Sequence, residues 1–200
     1  MSRGLGDVYK RQALAQLHQL PVPDFVPKFH EYEISAFHAL LDSDSTSHPF
    51  ITWLEKTTEY LERNLDPTLP KCLIHGDIFN SNLVIKENND VVILDFEEAC
   101  ENYRVFDIGM TIIGTCIQHG QLDWPLIQAL LLGYQSVSPL EANEVKALKY
   151  FTMYAAAGTA LWRYKQFNIL FPDEQLKNHY AEMTSLADTV RASWPDNFDL

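Results

Sequence analysis

The sequence lacks the features of a membrane-spanning, exported or disulfide-bonded protein. Its most apolar run, Val105–Ile117, is interrupted by Asp107 and is too short to cross a bilayer. The first twelve residues contain no apolar stretch of the kind that a signal peptide needs. The three cysteines, Cys72, Cys100 and Cys116, show no CxxC spacing, and their odd number does not indicate a disulfide framework. These absences predict a reduced, cytoplasmic protein.

Basic residues are also scarce. The chain has 15 Lys and Arg against 27 Asp and Glu, which gives a formal net charge of −12. A surface with this charge repels nucleic-acid phosphates and anionic lipids, so it argues against a nucleic acid or a membrane as partner. Hydrophobic residues nevertheless make up 46% of the 200 residues, which is enough for a sizeable core and excludes a disordered chain. The length indicates one domain, or one lobe of a larger enzyme.

The first residues fit poorly with the sequence that follows them. A helical pattern begins at Ala13 with the run ALAQLH, and nothing before it continues that pattern. We therefore expect residues 1–12 to be a foreign or disordered leader. The folded domain is expected to cover residues 13–200.

Hydrophobic spacing predicts a helix, then short strands, then further helices. Three prolines within residues 20–27 indicate a loop, and apolar residues at helical spacing predict a helix over residues 50–64. Three β-branched runs predict strands over residues 72–75, 83–86 and 91–95, and the last two strands are expected to form a hairpin. Everything after residue 106 is expected to be helical, with helices over 106–117, 122–134, 141–166 and 174–192. A capping box from Ser138 to Glu141, with Pro139 at the first helical position, would open the third of these. The order predicts an α+β fold with a small sheet on a mostly helical body.

Polar side chains occur at informative spacings along the strand-rich segment. His75-Gly76-Asp77 follows the first strand, Asn82 comes five residues after Asp77, and Asp95 comes thirteen residues after Asn82. Because a hairpin returns the chain to its starting point, we expect Asp95 to lie beside Asn82. An amide oxygen and a carboxylate oxygen suit a hard divalent cation. Asp77 then stays free to accept a proton or to orient a hydroxyl group.

This spacing is the layout of a kinase catalytic loop, H-x-D-x-x-x-x-N, followed by the metal-binding D-F. With glycine in the middle of HGD, it resembles the aminoglycoside phosphotransferase and choline-kinase-like family of small-molecule kinases. The motifs HGDIFNSN, VVILDFEEAC and FDIG are similar to those of the type II homoserine kinases within that family. The resemblance covers residues 13–190 and implies a protein-kinase-like C-terminal lobe, mostly helical, with a small β-hairpin or sheet that carries the catalytic loop.

The resemblance also implies a role for each motif residue. Asp77 would be the catalytic base facing the acceptor hydroxyl, while Asn82 and Asp95 would bind Mg²⁺ and through it the phosphates of ATP. His75 would anchor the loop. Asp107 would accept hydrogen bonds from the loop amides, and a plain helix N-cap is its alternative role. The implied reaction is phosphoryl transfer from ATP to a small-molecule alcohol, with homoserine as first choice and an aminoglycoside, choline or another amino alcohol as second.

The N-terminal lobe of that family has no counterpart in this sequence. Gly4 and Gly6 are the only early glycines, and no strand pattern follows them. Lys86 lies on the hairpin between Asn82 and Asp95, so it cannot be the strand lysine that pairs the α- and β-phosphates. We therefore expect the chain to be the C-terminal lobe of a longer enzyme, and to be inactive and to bind Mg-ATP weakly on its own.

Several nearby residues have two interpretations. Glu97 and Glu98 are either metal or substrate contacts, or a solvated loop, which is the commoner case. Arg163 either binds an anionic group of the substrate or forms a surface salt bridge. The aromatic residues around it are expected in the core, namely Trp162, Tyr164 and Phe167.

Two other function classes stay open. A non-catalytic kinase-like lobe would act as a binding module, although the intact Asp77, Asn82 and Asp95 argue against it. A metal-dependent phosphoesterase would need further His and Asp ligands downstream, and none follows the motif. The histidines outside the motif show no metal-ligand spacing and are expected to be ordinary surface or hydrogen-bonded core residues: His18, His30, His38, His48, His119 and His179.

Overall fold

Helices supply most of the fold. The structure is a computed structural model and describes residues 12–28, 30–43, 48–88 and 90–195, so the expected leader lies outside the described residues except for its last position, Gln12, which is helical. The helices are α1 over residues 12–17, α2 Ile34–Ser43, α3 Pro49–Asn64, α4 Arg104–Thr115, α5 Trp124–Gln135, α6 Ala142–Tyr164 and α7 Tyr180–Ser193. A π-helical stretch, Lys165–Leu170, continues α6.

Three antiparallel ribbons of two strands interrupt the helices. They pair β1 Lys71–Ile74 with β4 Cys100–Tyr103, β2 Leu83–Ile85 with β3 Val91–Ile93, and β5 Ile117–Gln118 with β6 Gln121–Leu122. The predicted α+β class and the predicted hairpin are confirmed. The strands form separate ribbons, however, and not one small sheet.

The expectation that everything after residue 106 is helical is wrong at residues 117–122, and the helix expected over 174–192 begins only at Tyr180, after a turn. His119 and Gly120, at the tip of the β5–β6 ribbon, have φ values of 52° and 75°. Two central residues with positive φ define the tight turn whose twist matches a hairpin, and a glycine at the second position favours it. Strand β4 was also not expected, because its sequence, CENY, is short and polar and depends on β1 for its backbone partners.

The long helix α6 begins later than its sequence pattern indicates. The capping box joins Glu141, the N-cap, to Glu144, so Pro139 precedes the helix and Ser138 has another role. Arg104 on α4 donates from Nη1 to the Ser138 hydroxyl at 2.9 Å and forms a two-pronged ion pair with the buried Glu144. The local capping box therefore starts α6, and Arg104 of α4 holds Glu144 and Ser138 in place beside it.

The core is built around α6, which packs along both α4 and α7. Its middle is lined by small buried residues, Ala155–Ala157, Gly158 and Ala160, which allow neighbouring backbones to come close. At the crossing with α4, a Cβ placed on Gly109 would lie 2.8 Å from the carbonyl oxygen of Phe151. In the part of the chain that the structure describes, no helix has both the length and the apolar character needed to cross a membrane.

Replacing Gly109 by alanine tests this crossing. Gly109→Ala should lower the free energy of unfolding by about 1–3 kcal/mol, because the new methyl group overlaps backbone atoms that cannot move independently. In an open helix the same change would be stabilising by about 1 kcal/mol, so the sign alone is informative. Urea unfolding followed by circular dichroism measures it. Gln128→Ala, at an exposed position of α5, is the control, and an unchanged stability of Gly109→Ala would show that the helices are not in backbone contact.

Candidate active site

The loop that follows β1 is shaped by a glycine. Gly76, between His75 and Asp77, has a φ of 85°, and a Cβ there would lie 2.8 Å from the carbonyl oxygen of Glu98. Only glycine combines this backbone conformation with so close an approach. The chain then turns through a short 3₁₀ helix, Asn80–Asn82, and enters β2. Asp77 and Asn82 are thereby placed at the two ends of one tight loop.

Asn82 and Asp77 are joined directly. Nδ2 of Asn82 donates to the carbonyl oxygen of Asp77 at 2.8 Å and to its carboxylate Oδ2 at 3.0 Å. Both amide hydrogens of Asn82 therefore point towards Asp77, and its Oδ1 points away. Burial is the main reason that the pKa of Asp77 is raised, and the carboxylates of Asp95 and Asp107 add to the effect. The hydrogen bond from Asn82 acts against it.

The β2–β3 hairpin returns the chain to Asn82. Leu83 pairs with Ile93, and the amide of Leu94 donates to the Asn82 carbonyl oxygen at 2.9 Å. Asp95 is the next residue, and its φ of 64° lies in the left-handed region. Aspartate tolerates this region better than most residues, but the conformation still stores backbone strain of the kind found at functional sites. The structure thus brings Asp95 beside the loop of Asp77 and Asn82.

His75 connects the two halves of the site. The amide of Asp77 donates to its Nδ1 at 3.2 Å, so the ring proton is on Nε2, which donates to the Leu94 carbonyl oxygen at 2.8 Å. The ring of Phe96 lies edge-on to the His75 ring with centroids 4.7 Å apart. A single buried imidazole therefore holds the segment before Asp77 against the segment that carries Asp95.

Asp107 supports the loop from below. Its carboxylate is fully buried and accepts hydrogen bonds from the amides of His75 and Gly76, both at 2.8 Å, and from Nε2 of His18 at 3.0 Å. Burial alone would raise the pKa of Asp107, but these hydrogen bonds outweigh it and hold the pKa below its ordinary value. The alternative that Asp107 caps its own helix is wrong, because the N-cap of α4 is Tyr103.

His18 is a hydrogen-bonded core residue, which is one of the two roles expected for it, and it also supports the loop. Its Nε2 donates to Asp107, and its Nδ1 lies 2.7 Å from the hydroxyl of Tyr134 on α5. The signal for this role is its helical spacing from the buried Leu14 and Ala15, four and three positions earlier, because a histidine next to a buried helix face needs a polar partner in the core.

A cleft of about 310 Å³ opens beside Asp77 and Asp95. Glu97 and Glu98 also line it, and so do aromatic side chains, namely Tyr32, Phe79, Trp162 and Phe167. The expectation that Trp162 and Phe167 belong to the core is therefore wrong, whereas Tyr164 is buried as expected. The reason is helical spacing: Leu161 and Tyr164, three positions apart, face the core, and Trp162 between them turns to the cleft, where it is 39% exposed.

The two-way interpretations of Glu98 and Arg163 are resolved in part. Glu98 is half-buried at the cleft, and burial together with the nearby Glu31, Asp77 and Glu97 raises its pKa, so it is not a solvated loop residue, whereas Glu97 is exposed at the rim. Arg163 lines the same cleft and also forms the ion pair that was its alternative, with Nη1 2.7 Å from Oε2 of Glu182.

The donor set suits a magnesium ion shared with a ligand. Oδ1 of Asn82, which accepts from the Ser81 hydroxyl at 3.3 Å, and the carboxylate of Asp95 are oxygen donors on segments that the hairpin brings together. Mg²⁺ commonly takes one or two protein ligands and completes its shell with water and phosphates. Among the described residues, no group of three or more His, Cys, Asp or Glu side chains could hold a metal by itself. The residues present therefore fit a metal that arrives with a phosphate-bearing ligand.

The fold and the loop define a kinase-like phosphotransferase lobe, and the comparisons with known proteins give the family. The profile of the phosphotransferase enzyme family matches residues 12–140, and the chain belongs to this family. A homoserine kinase from Azorhizobium caulinodans is 30% identical over 160 residues, which cover 76% of this chain and 49% of that protein. The chain spans about half the length of this relative.

Solved structures show the same fold. A choline/ethanolamine kinase family protein from Mesorhizobium loti superposes with a TM-score of 0.73 at 13% identity, over 96% of this chain and 63% of that one. An amicoumacin kinase solved with AMP-PNP and Ca²⁺ gives a TM-score of 0.63 at 13% identity, over 96% and 59% of the two chains. The predicted family and the kinase-like fold class are confirmed.

The buried carboxylate below the loop leads to a pH-dependent prediction. Asp107→Asn should lower the free energy of unfolding by about 3 kcal/mol at neutral pH. The two carboxylate oxygens of Asp107 accept from the amides of His75 and Gly76, and asparagine has only one oxygen, so its NH₂ group would face one of these N–H groups and leave it without an acceptor. The folded-state pKa of Asp107 is depressed, so its stabilising contribution is complete above the unfolded pKa of about 3.9 and is lost as pH falls through the folded value.

The measurement is urea unfolding of both proteins between neutral and strongly acidic pH. The stability difference should stay constant down to about pH 5 and shrink below it. Asp24→Asn, an exposed loop substitution, is the control. A difference that is small at neutral pH, or that grows on acidification, would contradict the role of Asp107 as an ionised acceptor.

Proposed function

We propose that the natural gene product carrying this chain is an ATP-dependent kinase that phosphorylates the hydroxyl group of a small molecule, with homoserine as the first acceptor. The observation that carries the proposal is the convergence of Asp77, Asn82 and Asp95 through the Asn82–Asp77 hydrogen bonds and the hairpin contact to Leu94. A base and two oxygen ligands at one point are what phosphoryl transfer requires, since the reaction depends on positioning and charge neutralisation.

Asp77 acts on the acceptor in this proposal. Its carboxylate orients the hydroxyl group and takes the hydroxyl proton as the acceptor oxygen bonds to the γ-phosphorus of ATP. The bond between that phosphorus and the β–γ bridging oxygen breaks, and ADP leaves with the bonding electrons. Asn82 and Asp95 would hold Mg²⁺, which supplies charge neutralisation at the phosphates when it is bound. The Asn82 amide keeps Asp77 in one orientation throughout.

The choice of acceptor rests on similarity and on the cleft. The homoserine kinase of A. caulinodans supports homoserine, and with it a cytoplasmic role in threonine biosynthesis. The choline/ethanolamine kinase family protein of M. loti supports another amino alcohol as the alternative. Both kinds of acceptor carry a positively charged nitrogen, which fits the carboxylates that line the cleft.

The proposal includes the position of the chain in the enzyme. Residues 13–200 would form the C-terminal lobe, and a nucleotide-binding lobe would cover the ATP. In support, the described residues that line the cleft include no lysine and a single arginine, Arg163. Further cationic contacts to the phosphates would therefore come from another segment.

Two isosteric substitutions separate the proposed roles. Asp77→Asn should lower kcat by about 10²- to 10⁴-fold and leave the KM for Mg-ATP nearly unchanged, because only the acceptor hydroxyl loses its base. Asp95→Asn should also raise the KM for Mg-ATP, because it removes a charged ligand. Steady-state kinetics with homoserine on the natural gene product measure both constants.

Asp24→Asn is the matched control, since Asp24 is exposed and far along the chain from the loop. An equal loss of nucleotide affinity in the Asp77 and Asp95 variants would show that their roles are misassigned. Phosphorylation that survives in Asp77→Asn at the original rate would refute the proposed catalytic base.

A further inference from the structure

The cleft beside Asp77 has two sides of opposite charge. Glu97 and Glu98 lie on the side formed by the segment after β3, and Arg163 lies on the side formed by the end of α6. Asp77, the proposed reacting position, lines the same cleft. A small acceptor in this cleft therefore meets a negative wall and a positive wall at the same time.

The negative side of the cleft has carboxylates that are free to bind a cation. Among the described residues, neither the Glu97 nor the Glu98 carboxylate takes part in a hydrogen bond or an ion pair. Burial raises the pKa of Glu98, and so do four neighbouring carboxylates, those of Glu31, Asp77, Glu97 and Asp95. The buried Tyr32 ring lines the cleft, and its pKa is raised by burial and by the carboxylates of Glu98, Asp77, Glu31 and Glu97. Carboxylates with an aromatic face beside them are the surroundings that an ammonium group prefers.

The positive wall has free donors. The hydrogen bonds of Arg163 to described residues both use Nη1, which donates to the His179 carbonyl oxygen at 3.2 Å and to Glu182 at 2.7 Å. Nε and Nη2 are left for another acceptor. The Arg163 side chain is 13% exposed, while Glu182 is 56% exposed at the rim. A guanidinium held in place on one nitrogen can bind a carboxylate with its other two.

The volume of the cleft suits a small acceptor. At about 310 Å³ it lies at the low end of the range of about 300–1,000 Å³ for ligand pockets. A free hydroxy amino acid fits within this volume and presents an ammonium group, a carboxylate and a side-chain hydroxyl in three directions.

We propose that the cleft selects a zwitterionic hydroxy amino acid, with its ammonium group at Glu98, its carboxylate on Arg163 and its hydroxyl at Asp77. The inference rests on the proposed kinase function and adds the residues that determine specificity. It separates amino acids from amino alcohols such as aminopropanol, which have the ammonium group and the hydroxyl but nothing for Arg163 to bind.

The test compares two acceptors and a pair of arginine variants in the natural gene product. The kcat/KM is measured for L-homoserine and for 3-aminopropanol, which lacks the carboxylate. Arg163→Met should lower kcat/KM for homoserine by about 10- to 100-fold, the usual effect of removing a charge-assisted hydrogen bond. The fold loss for aminopropanol should be at least ten times smaller than the fold loss for homoserine. Arg163→Lys, which keeps the charge, should restore part of the homoserine activity.

Arg191→Met is the matched control, because Arg191 is exposed on α7, where it stacks on Tyr60 at 4.1 Å, and does not line the cleft. It should leave both values unchanged. Glu98→Gln should weaken the binding of both acceptors to the same extent, mainly by raising their KM values, since both carry the ammonium group.

The outcomes distinguish the two proposals. If Arg163→Met affects the two acceptors equally, or affects neither, the carboxylate site is refuted, although Asp77-dependent phosphorylation still supports the kinase. If Arg163→Met is unfolded by circular dichroism, the Arg163→Lys comparison decides, and equal loss for both acceptors again refutes the site. If no alcohol is phosphorylated in an Asp77-dependent way, the proposed function itself fails.

Discussion

The carboxylate of Asp107 is the contact on which the rest of the site depends. It is fully buried, remains charged, and accepts hydrogen bonds from the amides of His75 and Gly76 and from the imidazole of His18. A buried backbone amide without an acceptor is costly. The tight loop after β1 is therefore stable only because the Asp107 carboxylate accepts hydrogen bonds from its amides. Through His18 and Tyr134 the same carboxylate ties the loop to α1 and α5. The loop is therefore anchored to the helical body and not only to its own strand.

A second constraint acts across the top of the loop. His75 links the Asp77 amide to the Leu94 carbonyl, and the Asn82 carbonyl accepts from the Leu94 amide. Both backbone polar groups of Leu94 are thus committed to the loop, and the next residue, Asp95, is driven into the left-handed region. A residue in this region costs about 1–3 kcal/mol and persists because its surroundings hold it there, and the conformation sets the direction in which the Asp95 side chain leaves the backbone.

The arrangement of the candidate site residues could be predicted because it depends on local structure. A strand, a short loop and a hairpin bring Asp77, Asn82 and Asp95 together within 19 residues. The two strands of a hairpin are antiparallel neighbours, so the residue after the second strand lies close to the residue before the first. His18 could not be predicted in the same way, because its partner Asp107 is 89 positions away and only the tertiary fold joins them. At the start of α6, Ser138 was expected to cap the helix but instead accepts a hydrogen bond from Arg104 of another helix, a partner 34 positions away that local sequence does not reveal.

The cleft shows a similar division. The residues that line it come from distant parts of the chain. Successive residues of a helix such as α6 are about 100° apart around the helix axis, so neighbouring aromatic rings can be buried or exposed. Leu161, Trp162 and Tyr164 are all apolar or aromatic, so their composition does not reveal which of them turns outwards. The face of α6 is decided by what packs against it, namely α4 and α7, and that information is spread over the whole sequence.

The protonation state of Asp77 brings these constraints together. A base is useful only while it is ionised, and a higher pKa makes it a stronger proton acceptor. Burial and the carboxylates of Asp95 and Asp107 push the pKa of Asp77 upwards, whereas the Asn82 amide and His75 hold it down. Any cation that enters beside Asp95 or Glu98 weakens the repulsion and favours the ionised form. An acidic cleft without bound cations therefore holds the proposed base closest to protonation, and bound cationic ligands would restore the charge that the proposed reaction needs.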